Sequence, residues 1–242
     1  MPRQGVLRLV FVLVCLSAAA AEASPCDKAD VLGRARRAYP APGPKSLEMS
    51  SSLKLHIDGR VEKKTFIERY RFPEMARFEY QGPVSVLVLG TNGKAVWRLT
   101  PEGPVPHSPG HFELPRRLRS FAWVFSSVTD AQVECVPGGR EGTTRLLLTR
   151  GVDEMILLDI DAEGRVPRYE GESPATGATD VLQIDLDDWR RVGGHWVAYT
   201  VTTRVNGQPY AESKAESVRT DSDIPPSLFA APTEVGLPPR EL

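Results

Sequence analysis

Side chains able to do chemistry are few in this 242-residue chain, and they are poorly grouped. His107 and His111 bracket Ser108-Pro109-Gly110. On a helix that spacing would offer two imidazoles to a divalent metal, but Pro109 and Gly110 exclude a helix. Only Glu113 lies close by, and zinc sites take three or four ligands; no metal is expected. Asp185, Asp187 and Asp188 lack the glycine and closing glutamate of a calcium loop, and they read as a solvated strand end. There is no Gly-x-Ser-x-Gly, no His-Glu-x-x-His and no phosphate loop. No catalytic residue or cofactor is expected, so the chain does not read as an enzyme. Arg116, Arg117 and Arg119 could meet anionic lipid heads, but their helical phase places them on a wet face.

Two cysteines become informative once the N-terminus is read. Arg3 and Arg8 precede an apolar run from Leu9 to Leu16, and Ala21-Glu22-Ala23 fits a small-x-small cleavage site. Residues 1–23 are expected to be a secretory signal peptide, because the apolar core falls short of the ~20 residues of a membrane span. Neither Cys15, after Val14, nor Cys26, after Pro25, fits a lipid-anchoring site. Cleavage takes the formal net charge from −1 to −2, which argues against nucleic acid as a partner. Cys26 and Cys135 then remain in an oxidising compartment, where they form either a disulfide or two buried thiols.

The elements that hold these residues are mostly strands. A short helix is expected over 27–39, with Val31, Ala35 and Ala38 on one face and Pro40, Pro42 and Pro44 beyond it. From Leu47 to Ile57 apolar residues fall on odd positions, the period of a strand with one buried face. Asp58-Gly59 turns it into a second strand over 60–72, with Phe66, Tyr70 and Phe72 on one side. Phe78 and Tyr80 alternate in the next, and residues 84–89 are apolar throughout, as in a strand covered on both faces. Asn92 and Asn206 each precede glycine, predicting type I′ hairpins between 84–89 and 94–99 and between 195–205 and 208–219.

Residues 100–113 break the pattern, and one amphipathic helix is expected over 114–128, with Leu114, Leu118, Phe121, Ala122 and Phe125 in a stripe. Strands resume over 131–136, 143–149, 154–160, 165–170 and 181–186. The sum is an α+β, mainly β chain: about ten antiparallel strands in a curved, open half-barrel with two helices. A single domain over 24–232 and a loose tail over 233–242 are expected.

This order resembles the LolA/LolB-like family of bacterial lipoprotein carriers. The residues that carry the resemblance are Phe72-Pro73-Glu74-Met75-Ala76-Arg77-Phe78-Glu79-Tyr80, then Val86 to Trp97 around Asn92-Gly93, then the helix at 114–128, and the ending Ser227-Leu228-Phe229-Ala230-Ala231-Pro232. The resemblance implies a periplasmic half-barrel with an N-terminal helix and a lid helix over an apolar concave face. Such a face accepts acyl chains of lipoproteins or lipids and works with a membrane donor or acceptor protein, the carrier itself being a monomer. Leu53, Leu55, Phe66, Phe78, Leu87 and Trp97 are expected to line the cavity, with Phe121 and Phe125 on the lid. Family members carry arginine directly before the strand-ending proline, where it holds the lid. Phe72 stands there in this chain and Arg71 one place earlier, which reverses its facing. The chain is also longer around 170–188. An envelope sensor or assembly module of the same fold, binding a protein partner without transport, is the alternative.

Overall fold

The computed structural model describes residues 26–83, 86–100, 102–107, 119, 121–129, 132–150, 154–172 and 180–231. The expected signal peptide, the tail over 233–242, residues 114–118 of the lid helix, Arg116, Arg117 and His111 lie outside the described residues.

Helix α1 (Lys28–Ala38) starts where Asp27 accepts hydrogen bonds from the backbone N–H groups of Ala29 and Asp30 at 3.0 and 3.2 Å. It buries Val31, Leu32, Ala35 and Ala38. Then come β1 (Ser46–Ile57), β2 (Arg60–Arg71), β3 (Met75–Gln81), β4 (Val86–Asn92), β5 (Val96–Thr100) and β6 (Gly103–Pro106). Helix α2 (Phe121–Ser127) separates these from β7 (Val133–Val136), β8 (Thr144–Arg150), β9 (Glu154–Ile160), β10 (Arg168–Glu172), β11 (Val181–Val192), β12 (His195–Val205) and β13 (Gln208–Thr220). A 3-10 turn, Pro226–Phe229, follows.

All thirteen strands form one antiparallel sheet in the order β6-β5-β4-β3-β2-β1-β13-β12-β11-β10-β9-β8-β7. The first six strands step away from β1, and the last seven step back until β13 pairs with it, Leu55 opposite Ala211 and Leu47 opposite Thr220. The sheet is curved and unclosed, with β6 and β7 at its borders. Against the expected total of about ten there are thirteen strands, and β6, in the proline-rich segment, is the one that no expected segment covers. There β6 pairs Val105 with Arg98 and Gly103 with Thr100, while Pro104 and Pro106 alternate with those residues and offer no N–H to the open side.

The turns follow local chemistry. Asp58-Gly59 and Asn206-Gly207 hold positive φ at both positions (49° and 73°, 50° and 78°), the type I′ signature. Asn92 differs from the expectation. Its side chain accepts from the N–H groups of Lys94 and Ala95, and the loop to β5 spans three residues.

The sheet has an inner face carrying both hydrophobic clusters and an outer face rich in charge. The outer face is tied by cross-strand arginines. Arg69 bonds Glu48 at 2.8 Å and Glu79 at 2.6 Å, and Arg219 also reaches Glu48. Arg145 bonds Asp159 and Glu170 at 2.7 and 3.0 Å, and Asp185 takes both Arg168 and Arg204. Asp185 is therefore a buried, doubly paired carboxylate and not a solvated strand end, whereas Asp187 and Asp188 are exposed. The chain after β13 straps the same face. Arg71 donates to the Ile224 carbonyl, Arg77 to that of Leu228, and the Trp97 indole to that of Phe229 at 3.3 Å.

Cys26, just before α1, is joined by a disulfide to Cys135 on β7. Arg36 extends the tie by donating to the Val128 carbonyl at the end of α2 at 3.0 Å.

Two outcomes check this packing. A Cβ on Gly90 would sit 2.1 Å from a ring carbon of Trp97. Gly90→Ala should therefore cost about 1–3 kcal/mol in urea unfolding; an unchanged midpoint would mean the indole does not lie over Gly90. The second concerns acid. Hydrogen bonding from Arg69, opposed by burial and helped by Arg219, holds Glu48 below its ordinary value. Burial raises Asp185, but Arg168 and Arg204 outweigh it and leave it lowered too. Both carboxylates thus stabilise the fold fully above the ordinary carboxylate range, and that stability drains as pH falls toward their lowered folded values. Glu48→Gln with Asp185→Asn should flatten the fall in Tm below about pH 5; an equally steep fall would assign acid unfolding elsewhere.

Candidate functional site

The inner face divides into two unlike halves. Under α1 and α2 the cluster is filled. Phe121 and Phe125 are 3% and 1% exposed and meet Tyr39 at 5.2 and 5.9 Å, above Leu146, Leu158, Ile160 and Leu186 from the returning strands. Burial holds the Tyr39 phenol far above its ordinary range, so it stays a neutral part of this core.

The other half, on β1 to β4, contains no described helix residue. Strand register puts Leu53, Leu55 and Ile57 of β1 on one face with Phe66 of β2, Phe78 and Tyr80 of β3, and Leu87 and Leu89 of β4. Phe66 stacks on Tyr80 at 4.5 Å and meets Phe78 edge-on at 5.8 Å. Exposure rises along every strand toward the end where β1 turns into β2. Leu53 is 5% exposed and Ile57 40%, while Leu89 is 4% and Leu87 39%. The result is a trough that is apolar at its deep end and, at its open end, sets Leu53, Leu55 and Ile57 opposite Lys64, Glu62 and Arg60 of β2.

Five of the eight expected cavity residues, Leu53, Leu55, Phe66, Phe78 and Leu87, stand on the inner face of β1 to β4, and Phe121 and Phe125 lie buried on the helix side. Trp97 is the exception on the β1–β4 side. It pairs with Gly90, not Leu89, and so faces outward beneath the C-terminal strap, with Arg77 over its ring at 5.7 Å. A strand apolar on both sides hides its facing until the register is known, which is why pattern alone misplaced it.

Between the halves lies a buried polar knot that sequence reading did not predict. Glu68 of β2 and Arg119 are 2% and 7% exposed, with Nη2 2.5 Å from Oε2. The Tyr70 hydroxyl donates to the same carboxylate at 2.7 Å. Burial alone would lower the Arg119 guanidinium, but Glu68 offsets it and the group stays raised; burial, then Glu68, drives the Tyr70 phenol well above its ordinary value. The knot is thus an ion pair plus a permanent donor. Arg119 is not on a wet helix face. One signal was present in the sequence, since Glu68 stands in phase with Phe66 and Tyr70, placing a carboxylate on an apolar face that needs a partner.

Beside Arg119 a cavity of about 20 Å³ is lined by Tyr39, Leu47, Phe121, Trp196 and Val197. That is room for about one water. Among the described residues no three of His, Cys, Asp and Glu gather as metal ligands, and no helix is long and apolar enough to cross a membrane. His107 extends β6, its N–H bonded to the Val96 carbonyl.

No protein-family model matches the chain, and no curated protein matches it in sequence. Solved structures do match in backbone. A LolA superfamily protein from Nitrosomonas europaea superposes with a TM-score of 0.61 at 11% identity, over 84% of this chain and 97% of that one. A DUF1329 family protein from Desulfovibrio piger gives 0.57 at 10% identity, over 84% and 95%. A domain assigned to outer membrane lipoprotein sorting, from Vibrio parahaemolyticus, gives 0.51 at 10%, over 83% and 94%. The open thirteen-stranded sheet with its helices on the inner face is the LolA-like fold.

Proposed function

We propose that this protein is an exported periplasmic carrier that shelters the acyl chains of a lipoprotein or lipid against the inner face of β1 to β4, without chemistry on its cargo. The observation that carries the reading is the trough, whose apolar side chains emerge progressively from Leu53 and Leu89 to Ile57 and Leu87. The shared fold with a lipoprotein-sorting domain supports it. Burying each methylene gains ~0.8 kcal/mol, so around ten supply roughly 8 kcal/mol before ordering costs.

The arrangement described above is then the closed form. The cavity of about 20 Å³ beside Arg119 does not hold an acyl chain, so a chain that extends from the trough to the helix side displaces the α2 segment from the wall. Arg119 is the tie that must break, because it alone joins that segment to β2 by a charged pair among the described residues. Membrane donor and acceptor proteins would act at this step.

The filled cluster beneath α1 and α2 favours a second reading, an envelope sensor or assembly module that binds a protein partner and carries nothing. Titration of delipidated protein with a fluorescent fatty acid separates the two. The carrier binds saturably, with a Kd of about 1–100 µM, and Leu55→Asn with Leu87→Asn weakens binding about tenfold at unchanged Tm. Absence of saturable binding, with no lipid in an organic extract of the native protein, would leave the sensor.

The tie has its own test. Arg119→Met alone strands the Glu68 carboxylate and should destabilise by about 3–5 kcal/mol. Glu68→Leu combined with Arg119→Met and Tyr70→Phe removes both charges and the hydroxyl that Glu68 accepts from, should cost less than Arg119→Met alone, and should admit the probe faster in stopped flow. Equal uptake rates in that triple variant and the parent protein would remove the tie from the loading step.

A further inference from the structure

Seven large apolar residues are exposed among the described residues, and all seven stand at one end of the sheet, the end bearing the β1–β2 and β12–β13 turns. Ile57 and Leu87 belong to the trough. Of the other five, Val86, Val61, Val181 and Met155 face outward, since each is out of phase with the inner residue next to it on its strand, while Tyr210 stands at the register shift of β13 opposite Thr203 and Arg204. The five belong to β4, β2, β13, β11 and β9, which are every second strand in sheet order, and each lies within the first three residues of its strand.

We propose that this end of the molecule seats on the surface of an anionic lipid bilayer, with Val86, Val61, Val181 and Met155 entering the headgroup boundary and Tyr210 at the rim beside them. The inference goes beyond the carrier reading and stands without it.

Spacing favours a bilayer over a protein partner. Strands lie 4.7–4.9 Å apart, so alternate strands keep these side chains at least roughly 9.5 Å from one another, and register sets Val86 level with Thr65, four residues from Val61. Isolated anchors at that pitch do not make the contiguous buried core of a protein interface. A lipid surface takes each one separately, and tyrosine and methionine suit its amphipathic boundary. Charge favours an anionic surface. The hairpin from Lys54 to Lys64 carries Lys54, Arg60, Lys63 and Lys64 against Asp58 and Glu62, on a chain whose overall formal charge is −1. Glu212 pairs with Lys54 and Glu62 with Lys64, but Arg60 and Lys63 are exposed without an ion pair among the described residues. A basic tip beside apolar anchors gives attraction at a distance and grip on contact.

Flotation with vesicles of phosphatidylethanolamine and phosphatidylglycerol, 3:1, compared with phosphatidylcholine alone, tests this on the full chain. The protein should float with the anionic vesicles and be released by salt. Val61→Ser, Tyr210→Ser and Met155→Gln together should reduce the bound fraction at least tenfold at unchanged Tm. Arg60→Glu with Lys63→Glu should remove the preference for anionic vesicles. Fatty-acid binding should survive in all these variants, which keeps the test separate from the carrier reading. The proposal is overturned if the parent protein does not float, or if the triple variant floats equally well. It is overturned too if the apolar row instead drives self-association that the triple variant abolishes in the absence of vesicles.

Discussion

The pairing of β1 with β13 is the constraint on which the rest of the sheet depends. It joins the first strand to the last across the length of the chain, and it turns two meanders marching in opposite directions into one surface. Every other strand pair is a neighbour in sequence and closes a short loop. This pair is not, and its entropy of closure is met by a long register of nine residue pairs flanked by the strap that begins at Asp221. The register shifts at Ser50/Ser51, in the middle of the seam, and a bulge there strengthens local twist. The seam lies within the cluster of β1 to β4, which includes Ala215 of β13, while the helices pack on the cluster of the returning strands.

A curved sheet this wide has two surfaces to satisfy, and the chain treats them differently. Inside, apolar residues aggregate around aromatic rings. Outside, arginines reach across strands to carboxylates on neighbours, so that Arg69, Arg145 and Asp185 each bind two strands at once. Such pairs are individually modest where solvent reaches them. Here several are shielded by the strap and by one another, and their geometry fixes which residues face outward. Glu68 and Arg119 are the exception, the same chemistry moved indoors, where it fixes the segment before α2 against β2 at the cost of desolvating two charges.

Much of this was legible before any coordinates. The odd-numbered run from Leu47 to Ile57, the Asp58-Gly59 and Asn206-Gly207 turns and the apolar stripe of α1 are local signals, and local signals survive folding. What failed was non-local. Trp97 was assigned to the inner face because it is large and apolar, yet only its pairing with Gly90 decides its direction. Arg119 was assigned to water because a helical wheel orders residues around one axis and cannot see a carboxylate waiting on another element. Asp185 resembled a solvated cluster member because Arg168 and Arg204 arrive from different strands. Strand β6 was lost because its prolines contradict a strand unless the strand lies at a border.

That border has a consequence. An open sheet advertises unpaired main-chain groups to any passing chain, and a β-rich protein with two free flanks is at risk of growing into ribbons. At one flank Pro104 and Pro106 withhold the donors that an added strand would need. At the other, β7 has only four residues, and Cys135 within it is tethered to the start of α1. Both flanks are thus guarded by features that stand apart from the trough on β1 to β4, proline at one and a short, cross-linked strand at the other.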